Sequence, residues 1–586
     1  MKVTPTSHSL PLQLGDFSTL VEALDYAAKG ETGYNFYSGR GELYAVLPYT
    51  TLRNEAQTLA RKLLSLGVPH GSRMALVADT HPDFVRFFFA CQYAGLTPVP
   101  LPAVIQLSGR KAYINQLERL LSTCNAQLAM ATDDFLPFLT EAAAKMDYKF
   151  LGNPQAYDNL PESDAPLPAR DETELAYLQY TSGSTRFPRG VMITQKAVMH
   201  NLSVITQHGV KVRTGDRAVS WLPYFHDMGL VGLLLVPLAC QISVDFLGTR
   251  DFAMRPRLWL KLMSDNRGTI SFSPPFGYDL AARRLRDDEV GNYDLSSWRV
   301  AGIGAEMIRT EALDYFAKKL APSGFDSRAF LPCYGMAECS LAVCFGALNK
   351  GVMVDHIDSV QLAEHRKAVP MDPLLNKGNG RVKSFVNCGG LMPGYEFEIR
   401  NKEGQILPER QCGILYLRGS SVMSGYLGDI ESTREVLSLD GWLNTGDIAY
   451  QVGSDIVVTG RLKDMIIING RNIWPQDIEY LAENQAAIRT GDAMAFFVPD
   501  QYGEEQAIVI VECRETDKQI RLDLVSRLNR LIRQELGIDC RIELMARNTL
   551  TRTTSGKPSR YATKNDYLQQ KAAEQNITKK ESLLVR

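Results

Sequence analysis

The 586-residue chain lacks the features that mark several large classes of protein. Its 10 cysteines are scattered from Cys91 to Cys540 without a CxxC pair, which excludes a disulfide framework, and none of its 8 histidines is paired at metal-ligand spacing, so no zinc site is indicated. Neither sign of charge dominates. With 64 Lys and Arg against 66 Asp and Glu the formal net charge is −2, so no global positive field exists to hold nucleic acid. There is no internal repeat and no low-complexity tract. The first residues, MKVTPTSHSLPLQLGDFSTL, contain no uninterrupted apolar core and no small-residue cleavage signal, which points to a cytoplasmic protein. The most apolar stretch, Gly229 to Gly248, is cut by Pro237, Gln241 and Asp245. It reads as a buried helix, a turn and a buried strand, not as an integral membrane segment.

What remains is an ordinary globular composition, 45 % hydrophobic and 22 % charged, at a length that implies about two to four domains. Apolar periodicity alternates between strand and helix. A hairpin-like stretch precedes a helix ending at Gly67, then come a strand at 73–78, a helix at 82–94, an extended TPVPLP at 97–102, a helix at 113–122, a strand at 128–131 and a helix at 135–144. Crossovers of this length predict a largely parallel α/β sheet. After Gly389 the pattern becomes strand-like alternation broken by turn residues, as in a smaller antiparallel sheet or distorted barrel. The last 120 or so residues read as helix, strand, strand, helix, strand, the make-up of a small α+β domain. Residues 347–386 carry several breakers and little periodicity, as expected of an inserted hairpin, short helix or loop.

The strongest local signal is Tyr180 to Gly190, YTSGSTRFPRG, lying between two apolar strands. Its glycines and hydroxyls leave backbone N–H groups free to surround phosphate oxygens, and Arg186 and Arg189 add positive charge, although a solvated turn has the same composition. It is not a G-x-x-x-x-G-K-[ST] loop. Read singly, other residues have plain explanations: Tyr334 as a core tyrosine, Glu338 as a helix N-terminal cap or surface charge, Asp447 as a turn aspartate, His226 as a core histidine and Lys557 as a surface lysine.

Taken together, YTSGSTRFPRG at 180–190, WLPYFHDMGL at 221–230, GIGAE at 302–306, YGMAE at 334–338, TGD at 445–447, GRLKDMIIINGRN at 460–472 and TSGK at 554–557 resemble, in order and spacing, the adenylate-forming acyl-ligase superfamily. The TSGSTRxPRG form is similar to its long-chain fatty acyl-AMP ligase branch. The resemblance implies an adenylation body at 1–460, with an insertion at 347–386 and a β-rich subdomain at 389–459, followed by a small mobile domain at 461–586. It also implies attack of a medium- or long-chain fatty-acid carboxylate on the α-phosphorus of ATP, with Mg2+, giving acyl-AMP and pyrophosphate.

Carried onto this sequence, the resemblance places Thr181, Ser182, Gly183, Ser184 and Thr185 around the β- and γ-phosphates. Gly304, Ala305 and Glu306 line the adenine pocket, with Tyr334, Gly335 and Met336 against the purine, Glu338 on Mg2+, Asp447 on the ribose hydroxyls, and Arg461 beside the ribose and α-phosphate. Lys463 is the pivot of the small domain, Lys557 the lysine that stabilises the reacting centre, and His226 the neighbour of the acyl carboxylate.

The thioester-forming partner implied by this branch is a holo acyl carrier protein with its phosphopantetheine thiol, with little affinity for free coenzyme A. The apolar runs 229–238 and 272–277 are candidates for a lipid tunnel or for plain core. Two alternatives stay open: a fatty acyl-CoA ligase of the same fold, and a non-catalytic nucleotide-binding regulator or scaffold.

Overall fold

The computed structural model describes residues 10–103, 109–181, 188–374, 381–464, 466–468, 471–485, 487–489, 491–499, 505–552 and 559–571. A large α/β body carries a smaller α+β domain at its C-terminal end. The body is built on a 13-stranded sheet. One half is parallel: Gly33–Tyr37, Ser243–Leu247, Arg217–Ser220, Ile270–Ser273, Val300–Ile303 and Phe330–Gly335 lie side by side, and Leu43–Pro48 closes that end as an antiparallel edge. The other half is antiparallel and runs from Ala342–Phe345 through Gly390–Leu391, Asp455–Arg461, Leu443–Val452 and Gly413–Gly419 to Tyr395–Arg400. The β-rich region after Gly389 is therefore hydrogen-bonded into the main sheet.

The sheet changes character at Phe330–Gly335, which pairs in parallel with Val300–Ile303 on one side and antiparallel with Ala342–Phe345 on the other. Against the parallel half, Trp259, Tyr278, Trp298 and Phe316 interlock, with Trp259 and Trp298 ring centroids 5.1 Å apart and Tyr278 edge-on to Phe316 at 5.1 Å.

A second, four-stranded parallel sheet orders Thr97–Leu101, Arg73–Val77, Leu128–Met130 and Phe150–Gly152. Pro98 and Pro100 lack an N–H and so suit only an edge strand, and Thr97–Leu101 is that edge. Gly229–Gly248 folds as expected into helix, turn and buried strand, but its first turns, Met228–Leu235, are π-helical, as are Ile205–Gly209. Among the described residues no helix is long and apolar enough to cross a membrane.

The segment 347–386 contains an antiparallel pair, Val354–Asp358 and Val382–Val386, with the helix Ser359–His365 after the first strand. In the small domain, Ala493–Pro499 pairs antiparallel with Glu505–Glu512, which pairs in parallel with Cys540–Met545. The helix Lys518–Leu536 is capped by Asp517, whose carboxylate accepts from Gln519 N and Ile520 N, and it buries Leu524, Leu528 and Ile532 along one stripe.

Candidate active site

The sheet's change of direction puts Tyr334 at the centre of the site. A Cβ on its neighbour Gly335 would lie 1.9 Å from Leu341 O, so only glycine allows the close turn in which Met336 N donates to that same carbonyl at 2.8 Å. Tyr334 donates its hydroxyl to Asp447 Oδ2 at 2.5 Å. Asp447 sits opposite Arg461 in the antiparallel register, and Arg461 Nε lies 3.3 Å from Asp447 Oδ1. Burial raises the Asp447 carboxyl above its ordinary range, against the opposing pull of Arg461 and the Tyr334 hydroxyl. The Asp447 carboxylate in turn holds Arg461 above its ordinary value.

Beyond Gly335, Glu338 accepts from the Tyr426 hydroxyl at 2.9 Å, and the Arg189 guanidinium lies over the Tyr426 ring at 5.0 Å from its centroid. Burial raises the Glu338 carboxyl, with the hydrogen bond from Tyr426 opposing the shift. Thr181 N donates to Arg189 O at 3.0 Å, and Arg189 N donates to Thr181 Oγ1 at 3.3 Å. These pairings tie the two strands flanking the hydroxyl-rich loop to the carboxylate.

A cavity of about 730 Å³ joins these groups. Thr181, Arg189, Tyr334, Met336, Glu338 and Arg461 line its polar end, and Val212, Leu233, Val236, Ile242 and Phe272 line its apolar end. His226 lines it as well. Its Nδ1 lies 2.6 Å from Asp227 Oδ1, so the ring is oriented by the next residue in the chain. The π-helical turns contribute Ile205, Met228, Gly232 and Leu233 to the wall, which places irregular helix where the lining is shaped.

A larger cavity of about 1610 Å³ shares Ala305, Tyr334, Gly335, Arg461 and Lys463 with the first and opens between body and small domain. Ala305 adopts a left-handed φ of 67°, a conformation that costs an alanine energy and that persists at functional turns. Glu306 accepts from Phe276 N at 3.1 Å and so caps the helix Pro275–Arg284 while lining this cavity. Gly304 stands behind the lining, where a Cβ would meet Cys333 Sγ at 2.9 Å. Across the domain junction, Arg309 pairs with Glu483, Tyr480 donates to Glu311 at 3.0 Å, and Lys383 donates to Asp477 at 2.6 Å.

The structure thus gathers Thr181, His226, Ala305, Glu306, Tyr334, Gly335, Met336, Glu338, Asp447 and Arg461 around two connected cavities. Ser182, Gly183, Ser184, Thr185 and Lys557 lie outside the described residues. On either side of Lys557, Arg552 and Ser559 line both cavities. Sequence reading missed Tyr426, whose two-residue strand Gly425–Tyr426 is too short for any periodicity, and the ion pairs across the domain junction, which join residues far apart in the chain.

Residues 33–427 match the AMP-binding enzyme family, and the chain belongs to it. It is 44 % identical over 570 residues, 97 % of this chain and 98 % of the other, to a putative acyl-CoA synthetase of Caulobacter vibrioides. It is 31 % identical to the medium-chain-fatty-acid–[acyl-carrier-protein] ligase JamA of Moorena producens, across 94 % of this chain and 96 % of that one. A solved structure from studies of fatty acyl-adenylate ligases of E. coli and L. pneumophila superposes with a TM-score of 0.91 at 46 % identity, covering 96 % of this chain and 100 % of that one.

Proposed function

We propose that the protein activates a medium- or long-chain fatty acid with ATP, forming acyl-AMP and pyrophosphate, and then passes the acyl group to the phosphopantetheine thiol of a holo acyl carrier protein. The observation that carries this reading is the smaller cavity, with carboxylates and guanidiniums at one end and an apolar pocket at the other. Such a shape suits a substrate with a charged head and a hydrocarbon tail. The relatives named as fatty acyl-adenylate and carrier-protein ligases support the same substrate class.

In this reading Asp447 accepts from the ribose hydroxyls and Tyr334 lies against the purine, with Gly304, Ala305 and Glu306 forming the adenine side. Thr181 to Thr185 surround the β- and γ-phosphates. The fatty-acid carboxylate, held near His226, attacks the α-phosphorus in line, and the bond to the bridging oxygen of pyrophosphate breaks. The carboxylate is already ionised, so no general base is required. Arg461 and Lys557 stabilise the charge that develops on the phosphoryl oxygens. Mg2+ when bound neutralises phosphate charge. The single carboxylate of Glu338 fits such an ion, which takes one or two protein carboxylates and fills its shell with phosphate oxygens and water.

The small domain, from Arg461 onward, is proposed to turn about Lys463 between the two half-reactions. Lys383, in the 347–386 insertion, grips Asp477 of the small domain and supports the reading that the insertion restrains the turn used for coenzyme A. A second reading, transfer to coenzyme A itself, is favoured by the naming of the Caulobacter relative. A mass-spectrometric assay with ATP, Mg2+ and a C8 to C16 fatty-acid panel separates them. Acyl-AMP that persists with coenzyme A and is consumed by holo carrier protein supports the proposal. Acyl-CoA as main product moves the protein to the second reading, and no adenylate with any acid leaves the fold reading intact and reopens the substrate question.

A further inference from the structure

The larger cavity is more basic than the chain that builds it. Ten Lys and Arg against seven Asp and Glu line it, whereas the whole chain has a slight acidic excess. Most of the inner charges are matched: Arg283 with Asp279, Arg309 with Glu483, Arg461 with Asp447, and Arg560 with Asp464 and Glu479. The remainder lies toward solvent. Arg284, at the end of the helix Pro275–Arg284, and Arg489 and Arg514 of the small domain line this same cavity, and all three are exposed. Among the described residues, none of the three is within ion-pair distance of a carboxylate. Asp492 is shared by Arg547 and Arg552 at 3.7 Å each. Desolvation and the guanidiniums of Arg547, Arg514 and Arg284 push Arg489 below its ordinary value, against the opposing pull of Asp492.

We propose that Arg284, Arg489 and Arg514 form an anion-capture site at the mouth of the larger cavity, which draws the triphosphate of ATP toward Tyr334 and Arg461. The inference rests on the adenylation reading above. Its physical basis is focusing: unmatched like charges at the rim of a low-dielectric cleft concentrate field lines along the path to the site. The three arginines touch no reacting atom in this arrangement. They act on arrival of the nucleotide.

The test is stopped-flow association of a fluorescent ATP analogue with the full chain, against the triple variant Arg284→Gln, Arg489→Gln and Arg514→Gln. The association rate constant is expected to fall about tenfold at low salt, with the difference lost at high salt where the field is screened. Affinity for uncharged adenosine stays the same, and Arg530→Gln, on the surface of the helix Lys518–Leu536, changes neither quantity. Arg489→Lys retains most of the rate, because charge rather than fork geometry is what counts.

Equal association rates for wild type and triple variant at low salt overturn the proposal, as does an equal loss for adenosine, which indicates damage to the fold. Unchanged ATP association with impaired acyl transfer to carrier protein overturns it too, and reassigns the arginines to docking an acidic protein surface. The readout needs no fatty acid, so failure to form acyl-AMP strikes the adenylation reading alone.

Discussion

Asp447 and Arg461 are cross-strand partners: the antiparallel register of Leu443–Val452 on Asp455–Arg461 sets them opposite each other, and their side chains meet at 3.3 Å. The pairing shifts register between Ile448 and Ala449, just beside this pair, which bends the ladder where the site begins. Tyr334 completes the set by donating to the second carboxylate oxygen. Asp447 is therefore oriented from two sides.

That orientation gives unequal costs to two substitutions. Tyr334→Phe removes one hydrogen bond and keeps the ring, and the Kd for ATP should rise about two- to tenfold. Asp447→Ala removes the acceptor proposed for the ribose hydroxyls and leaves Arg461 without its partner, so a rise of tenfold or more, about 1.5–3 kcal/mol, is expected. Calorimetric titration of ATP checks both, and an Asp447→Ala affinity equal to wild type would contradict the ribose role.

Glu338 sets a pH dependence. Its carboxyl is raised by burial, so the folded protein holds this proton more tightly than the unfolded chain does. The stability this gives is present below the unfolded value and is lost as pH rises through the folded one. In the proposed role of Glu338, Mg2+ binding requires the ionised form. Mg2+-dependent ATP binding should thus weaken as pH falls through a value above the ordinary glutamate range. Glu338→Gln should abolish that acid limb and lower adenylation, while the melting temperature of the ligand-free protein at neutral pH is kept or raised. Thermal scans and ATP titrations across pH read the two effects separately.

Much of this was legible in the chain. Five elements of the small domain, Pro475–Glu483, Ala493–Pro499, Glu505–Glu512, Lys518–Leu536 and Cys540–Met545, follow the order that apolar spacing indicates, because each buries one face on a small shared core. The continuity of the β-rich region with the main sheet was not legible, since Gly390–Leu391 joins it through a two-residue strand. Tyr426 escaped for the same reason. The link between Lys383 and Asp477 spans 94 residues, and nothing local in either segment signals the other.

That link makes a prediction about the acceptor. Lys383→Glu places like charge against Asp477 and loosens the insertion's grip on the small domain. If the insertion restrains the turn toward coenzyme A, acyl-CoA formation by this variant should rise from its wild-type level while acyl-AMP formation stays within about twofold. The double exchange Lys383→Asp with Asp477→Lys should restore the wild-type product ratio. Product ratios by mass spectrometry decide the matter, and a variant with unchanged acyl-CoA yield rejects the restraint.

The apolar end of the first cavity offers a test of the acyl site. Ala218 lies in the buried strand Arg217–Ser220 and lines the pocket with Val212, Ile242, Ile270 and Phe272. Ala218→Leu adds three carbons to that wall, and each methylene of acyl chain excluded from the pocket forfeits about 0.8 kcal/mol of burial. The ratio of kcat/KM for C14 to that for C8 should therefore fall about tenfold or more, with ATP affinity unaffected because the polar end is untouched. A parallel drop for both acids would point to a strained core instead, and thermal melting of the variant separates that outcome from a shortened pocket.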